Sequence, residues 1–221
     1  MSLLFADQTE HYVVLVSDTL VTRGKDPFMF GPKVRAIPHR NMAIASTGSS
    51  NLAHLWEQSL LSLDGYGFGD IETVNNETPA ALRNLYADLG RRFGEPLESS
   101  TIYHFGFPTD SDKLVRYVYR SLANFEPERF EGSTFTAKPL PADYRFERPQ
   151  SQQEVIDLAL KVREINDAQI ADGGWGVRIG GELYATMVQN WNIQTVRWHR
   201  FADYDETAAA VLLRPNVGGG R

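Results

Sequence analysis

The stretch Tyr12-Val-Val-Leu-Val-Ser-Asp18 is the part of the sequence that decides the fold. It is rich in β-branched residues and ends on a carboxylate, which predicts a strand with an acidic last residue. Two further segments of strand character follow it, Gly31-Pro-Lys33-Val-Arg-Ala-Ile37 and Ala43-Ile-Ala-Ser-Thr-Gly48, and the second ends in a glycine turn. Because alternate side chains of a strand share one face, an inward-facing Lys33 needs a partner.

The composition predicts a globular protein whose main partner is not a nucleic acid. Of its 221 residues, 42% are hydrophobic and 23% are charged, which is enough apolar material for a core. The net charge of −6 does not provide the basic face that phosphate binding requires. The chain has no cysteine, which excludes disulfides and thiol catalysis, and its five histidines lack metal-ligand spacing. We therefore expect no metal and no cofactor.

The sequence also predicts one cytoplasmic domain that spans residues 1–221. No basic region followed by an apolar run opens the chain, and no segment approaches the roughly 20 apolar residues that span a bilayer. We expect neither a signal peptide nor contact with a membrane. No internal repeat or clear linker divides the chain, and the tail from Pro215 to Arg221 is expected to be flexible.

Three segments have the features of helices. Apolar residues recur at helical spacing over residues 51–63, Thr78-Pro79 suits the start of a second helix that ends at Gly94, and Ser151-Gln-Gln-Glu154 is a capping box for a third. The predicted buried faces of the second and third helices are Leu82, Leu85, Tyr86, Leu89 and Phe93, and Val155, Leu158, Ala159, Val162 and Ile165.

Strand patterns lie before, between and after these helices. We expect a loop at 24–32, a hairpin around Gly180-Gly181 and strands near 183–188 and 193–198, whereas no pattern assigns 121–150. The resulting order is strands, two helices, strands, one helix, strands. This order predicts an α+β fold, a four-layer αββα sandwich in which two stacked, mainly antiparallel sheets are flanked by helices.

With Ser2, Asp18, Lys33 and Gly48 in this order, the chain resembles a proteasome β-subunit or its bacterial relative HslV, which are N-terminal-nucleophile (Ntn) hydrolases. The first 57 residues carry the resemblance best. It also covers Asp172-Gly-Gly-Trp-Gly176, which falls where the family has an aspartate followed by a turn. The sandwich above is the fold that this resemblance implies.

The resemblance implies a role for each of these residues. Ser2 is the nucleophile in place of the family's threonine, and its α-amine, freed by removal of the initiator methionine, is the general base. Lys33 keeps that amine unprotonated and Asp18 holds Lys33. The Gly48 N–H donates to the oxyanion, and Asp172 orients the terminal residue.

The sequence departs from the family pattern at three places. Trp175 stands where the family has a serine, Leu20 stands where it has a basic residue, and Gly132-Ser133-Thr134 is the nearest match to a Gly-Ser-Gly turn that leads into a helix. Each candidate residue also has an ordinary structural interpretation: Asp18 as a turn residue, Lys33 as a surface residue of an edge strand, and Gly48 as a helix-entry turn.

Two other functions stay open beside cleavage of peptide bonds in a peptide or protein substrate. One is a catalytically inactive proteasome-like structural or assembly subunit, and the other is a small-molecule amidase on the same fold. The resemblance further implies a homo-oligomer, in the form of a ring, and by analogy alone an ATP-dependent unfoldase as partner.

Overall fold

The computed structural model of the chain describes residues 3–24, 26–62, 69–93, 97–140, 144–174 and 176–213. Its strands are β1 (Leu4–Gln8), β2 (Tyr12–Asp18), β3 (Leu20–Arg23), β4 (Asp26–Phe30), β5 (Val34–Ile37), β6 (Met42–Thr47), β7 (Thr101–Gly106), β8 (Val115–Arg120), β9 (Pro127–Glu131), β10 (Thr134–Lys138), β11 (Glu182–Gln189) and β12 (Asn192–Arg200). Its helices are α1 (Ser50–Leu61), α2 (Ile71–Phe93), α3 (Gln152–Ala171) and α4 (Tyr204–Leu212).

The strands form two five-stranded antiparallel sheets and one small ribbon. The first sheet has the order β10-β1-β2-β11-β12, the second has the order β5-β6-β7-β8-β9, and the ribbon pairs β3 with β4. Consecutive strands β9 and β10 belong to different sheets, so the turn at Gly132 carries the chain from one sheet to the other.

Three apolar clusters show how the layers stack. Residues of β1 and β2 pack against residues of β6, β7 and β8 between the two sheets. The outer face of the first sheet packs on α3, and the outer face of the second sheet packs on α1 and α2. The molecule is therefore a four-layer αββα sandwich, which confirms the fold predicted from the order of the elements.

The central position of β2 explains its unbroken apolar sequence. Val13 and Leu15 face the other sheet, whereas Val16 faces α3 and Val14 packs at the edge of that same cluster. A strand that is covered on both faces needs apolar residues at successive positions and not only at alternate ones. This burial fixes the register of β2, because a shift by one residue would exchange its two faces.

Two of the predicted helices are confirmed, and one of them has the capping box that the sequence predicted. Helix α1 follows Ser49, whose side chain accepts the N–H of Leu52. Helix α3 follows Ser151, whose side chain accepts the N–H of Glu154, as a capping box requires. The buried face of α3 includes Leu158, Ala159 and Val162, with Val155 and Ile165 partly buried.

The predicted start of α2 is wrong, because the helix begins at Ile71 and Pro79 lies inside it. Asp70 caps this earlier start by accepting the N–H of Thr73 at 3.0 Å. Burial of Ile71 and of the following turn outweighs the hydrogen bond that a proline removes. Phe93 is also not on the buried face, since 58% of it is exposed. The predicted stop, Gly94, lies outside the described residues.

Residues 24–32 and 121–150 form more strand than the sequence predicted. The first segment contains β4, which pairs with β3 from Leu20 opposite Phe30 to Arg23 opposite Asp26, so the predicted loop is wrong there. The second segment contains β9 and β10, at the edges of their sheets. Local patterns were weak because edge strands are only partly buried and carry charged residues.

The hairpin predicted at Gly180-Gly181 is displaced along the chain. Strands β11 and β12 meet at Asn190 and Trp191, whereas Gly180 and Gly181 precede β11. Tail residues 215–221 lie outside the described part of the chain. Within that part, none of the helices has the length and apolar character needed to cross a membrane.

A buried histidine, His104, makes the stability of the second sheet sensitive to acid. The indole N–H of Trp56 donates to its Nε2 at 2.8 Å, and the two rings are nearly parallel. Full burial lowers the pKa of His104 to about 3. At a pH below about 6.5, the ordinary pKa of histidine, His104 is therefore protonated in the unfolded chain and neutral in the folded chain. The free energy of unfolding consequently decreases as the pH falls towards 3.

We predict that, because of His104, the free energy of unfolding decreases by about 2 kcal/mol when the pH is lowered from 7 to 5. Urea unfolding at the two pH values should show this loss in the unsubstituted chain and not in His104→Gln. The variant His39→Gln, at an exposed histidine, is the matched control and should keep the loss. An equal pH dependence in the unsubstituted chain and His104→Gln would refute the assignment.

Candidate active site

Asp18 is a fully buried carboxylate that three donors from separate parts of the chain surround. Its Oδ1 accepts the N–H of Leu3 at 3.0 Å and the Nζ of Lys33 at 2.5 Å, and its Oδ2 accepts the N–H of Gly180 at 3.1 Å. Asp18 is the last residue of β2, so its side chain lies where the first sheet ends. A buried charge is stable only with such partners.

Lys33 is the charge that compensates Asp18. It directly precedes β5, and its carbonyl accepts the N–H of Ser46, which holds it beside the end of β6. Its side chain is only 6% exposed. Burial lowers the pKa of Lys33, and the charge of Asp18 opposes that effect. The structure thus places in contact the two side chains that the resemblance pairs, whereas their role in catalysis stays a prediction.

The described part of the chain begins beside this ion pair. Leu3 is completely buried in the cluster between the first sheet and α3, so its position is fixed by packing as well as by its hydrogen bond to Asp18. The amide nitrogen that donates to Asp18 is the atom that joins Leu3 to Ser2. Ser2 itself lies outside the described residues, and its role as nucleophile stays a prediction.

Gly48 occupies a position that no other residue fits. It joins the end of β6 to the entry of α1 with a φ of +95°, in the left-handed region. A Cβ at this position would lie 2.2 Å from the carbonyl oxygen of Ser99 and 2.7 Å from the Cα of Ser100. The turn is further held by the N–H of Ser49, which donates to the Oγ of Ser100 at 3.0 Å.

For Asp172 the structure gives neither a contact with Asp18, Lys33 or Gly48 nor a place beside them at the end of the sandwich where β2 and β6 end. Asp172 is the C-cap of α3 and is exposed. Its proposed orienting role stays a prediction, and Trp175, which follows it, lies outside the described residues. Gly132 does not lead into a helix as the family pattern requires, because it lies in the turn between β9 and β10.

Gly180 and Thr19 are site residues that the sequence analysis missed. The carbonyl of Gly180 accepts the N–H of Leu20, and the Thr19 hydroxyl accepts the N–H of Glu182 at 2.9 Å. These bonds fasten the turn before β11 to the segment after β2. The available signal was the glycine pair, since Gly181 has a φ of +79° and a Cβ there would lie 2.3 Å from the Thr19 hydroxyl.

Lys33 and Gly48 both line one cleft, with a volume of about 570 Å³. The ribbon of β3 and β4 forms one wall, and the start of α1 forms another. An ion pair between Arg35 and Glu57, with 2.8 Å between Nε and Oε2, lies in the same cleft. The arrangement brings a buried cation, a glycine turn and an open cavity together at one end of the sandwich.

We predict that Gly48→Ala lowers the free energy of unfolding by at least about 2 kcal/mol, because both its φ and its neighbouring backbone exclude a Cβ. Gly132→Ala is the matched control. Gly132 also has a positive φ, of +72°, but a Cβ there has nothing within 4 Å. The control should lose about 1 kcal/mol. Equal losses in urea unfolding would contradict the close packing described for Gly48.

The comparisons with known proteins support the fold and do not extend to the chemistry. No protein-family model matches the chain, and no curated protein matches it in sequence. Among solved structures, the chain is similar to Anbu (ancestral beta-subunit) from Yersinia bercovieri, with a TM-score of 0.59 and 11% sequence identity. The similarity covers 99% of this chain and 100% of that chain. Together with the observed layers, this similarity supports the four-layer αββα fold and nothing beyond the fold.

Proposed function

We propose that the protein is an Ntn hydrolase that cleaves peptide bonds, with Ser2 as nucleophile once Met1 has been removed. One observation carries the proposal: the amide nitrogen of Leu3 and the ammonium of Lys33 bind the same oxygen of Asp18. The residue attached to that amide is Ser2. A charged lysine beside the start of the chain is the arrangement that activation of an N-terminal amine needs.

The proposed mechanism divides the work between these groups. A free α-amine has a pKa of about 7.7–8.0, close to neutral pH, so it accepts a proton at little cost. The positive charge of Lys33 disfavours a second ammonium nearby and keeps the amine neutral. The amine takes the proton of the Ser2 hydroxyl as its oxygen attacks the carbonyl carbon, and the N–H of Gly48 stabilises the oxyanion.

The same groups complete the reaction. Collapse of the tetrahedral intermediate breaks the C–N bond, and the protonated α-amine gives its proton to the departing amine. Water, deprotonated by the α-amine, then attacks the ester on Ser2, and the resulting ammonium returns its proton to the Ser2 oxygen as the C–O bond breaks and the acid is released. Asp18 acts through Lys33, as a positioning residue, and Asp172 remains a proposed orienting residue.

The assembly and partners are proposed from the resemblance. We propose a cytoplasmic, homo-oligomeric protein of one domain, arranged as a ring, that acts on peptides or proteins, with an ATP-dependent unfoldase partner by analogy. A small-molecule amidase on the same fold would use the same groups. An inactive structural or assembly subunit is the second candidate, and the position of Gly132 outside any helix entry favours it.

Intact mass and peptide turnover test the proposal together. We expect the purified protein to have lost the mass of one methionine and to hydrolyse fluorogenic peptides. Ser2→Ala and Lys33→Met should each lower kcat at least 100-fold, because one removes the attacking oxygen and the other the charge that keeps the base neutral. Ser2→Thr should retain turnover, since it keeps a hydroxyl nucleophile.

The controls separate the candidate functions. Lys113→Met removes an exposed lysine and should leave turnover unchanged. Retained Met1, or full turnover in Ser2→Ala, would refute the proposed mechanism. Turnover of single-residue amides without turnover of longer peptides would favour the amidase, and a processed chain without activity on either would favour the inactive subunit.

A further inference from the structure

The ion pair in the cleft, Arg35 with Glu57, is positioned to contact a substrate side chain. Arg35 lies on β5, two residues after Lys33, which is about 7 Å further along an extended chain. Glu57 lies on α1 and closes the same end of the cleft. Their side chains are 12% and 20% exposed, so both are largely desolvated and both still border the cavity.

This ion pair presents a donor and an acceptor side by side with no net charge. The Nε of Arg35 is bonded to Glu57, whereas its buried Nη1 has no hydrogen-bond partner among the described residues. The Nδ1 of His54 lies 3.7 Å from the same carboxylate oxygen of Glu57, on the solvent side of the pair. The pair therefore keeps hydrogen-bonding capacity that its own contact does not use.

The ribbon forms the opposite wall of the cleft, and part of this wall is apolar. Leu20, Val21 and Met29 line the cavity there, beside Thr22 and Arg23 of the same ribbon, and 45% of Met29 is exposed. A side chain that enters from the reaction centre thus has an aliphatic surface beside its stem and the ion pair beside its tip. A short aliphatic stem that ends in a polar group matches this distribution.

The charges select which polar group fits. Because Arg35 and Glu57 neutralise each other, a charged tip is attracted by one partner and repelled by the other, so its own desolvation is left uncompensated. A carboxamide can accept from the guanidinium with its oxygen and donate to the carboxylate with its NH₂ group. Because a carboxamide carries no charge, it can enter the cleft without changing the net charge at Arg35 and Glu57.

We propose that the cleft selects substrates whose acyl-side residue, the one that carries the scissile carbonyl, has a carboxamide side chain, with glutamine preferred. Arg35 and Glu57 are then the specificity-determining residues. This inference rests on the proposed function, because it assigns the acyl side of the substrate to the cleft that Lys33 and Gly48 line.

The test compares four fluorogenic peptides that differ only in this residue, which is Gln, Leu, Glu or Arg. In the unsubstituted chain we expect the kcat/KM of the Gln peptide to exceed each of the others at least tenfold. Glu57→Gln leaves Arg35 without its counter-charge and should shift the preference to the Glu peptide. Arg35→Gln leaves Glu57 uncompensated and should shift it to the Arg peptide. Arg163→Gln, which breaks an ion pair with Asp203 outside the cleft, is the matched control and should change neither ranking.

Binding of the same four peptides to Ser2→Ala, measured by fluorescence anisotropy, separates this inference from the proposed function. If the Gln peptide binds most tightly but the unsubstituted chain hydrolyses none of the four peptides, the inference is supported. The same result would contradict the proposed function. If the Gln peptide binds no more tightly than the Leu, Glu and Arg peptides, the inference is overturned. This result does not depend on the folding of the charge variants. An unchanged ranking in folded Glu57→Gln and Arg35→Gln would also overturn it.

Discussion

The carboxylate of Asp18 is the point on which the candidate site depends. It is completely buried, and removing a charge from water costs several kcal/mol unless partners replace the lost hydration. Those partners come from three distant parts of the sequence, at Leu3, Lys33 and Gly180. The carboxylate can be satisfied only when the first strand, the approach to β5 and the turn before β11 have all folded. The ion pair therefore belongs to the tertiary structure and not to one local motif.

The sandwich supplies what the ion pair requires. Packing between the sheets and on α3 holds β2 from both faces, so its last residue has a fixed position. Pairing of β5 with β6 places the segment of Lys33 beside the turn of Gly48, where the second sheet meets α1. The cleft opens at this same end, between the ribbon and α1. The first sheet thus contributes Asp18, the second sheet contributes Lys33 and the turn of Gly48, and the layered fold brings them together.

Much of this could be predicted from the sequence, and the exceptions have physical causes. The apolar run of β2 and the capping box at Ser151 follow from local patterns, whereas the pairing of Asp18 with Lys33 was implied by the resemblance to proteasome β-subunits and HslV. The early start of α2 and the strands β4, β9 and β10 depend on tertiary packing that outweighs proline and charge signals. The role of Gly180 was missed because the glycine pair Gly180-Gly181 indicates a turn but does not show which carboxylate a backbone N–H of that turn binds.

The protonation state of Lys33 tests the central claim most directly. Burial lowers the pKa of this ammonium and Asp18 opposes that effect, and the account requires that the positive charge survive at neutral pH. The ¹⁵N signal of its Nζ, assigned by its loss in Lys33→Met, can be followed from pH 6 upwards in the chain from which Met1 has been removed. We predict an ammonium signal at pH 7 that is protected from exchange with solvent. A neutral amine at pH 7 would contradict the account, because no charge would then remain to hold the N-terminal base unprotonated.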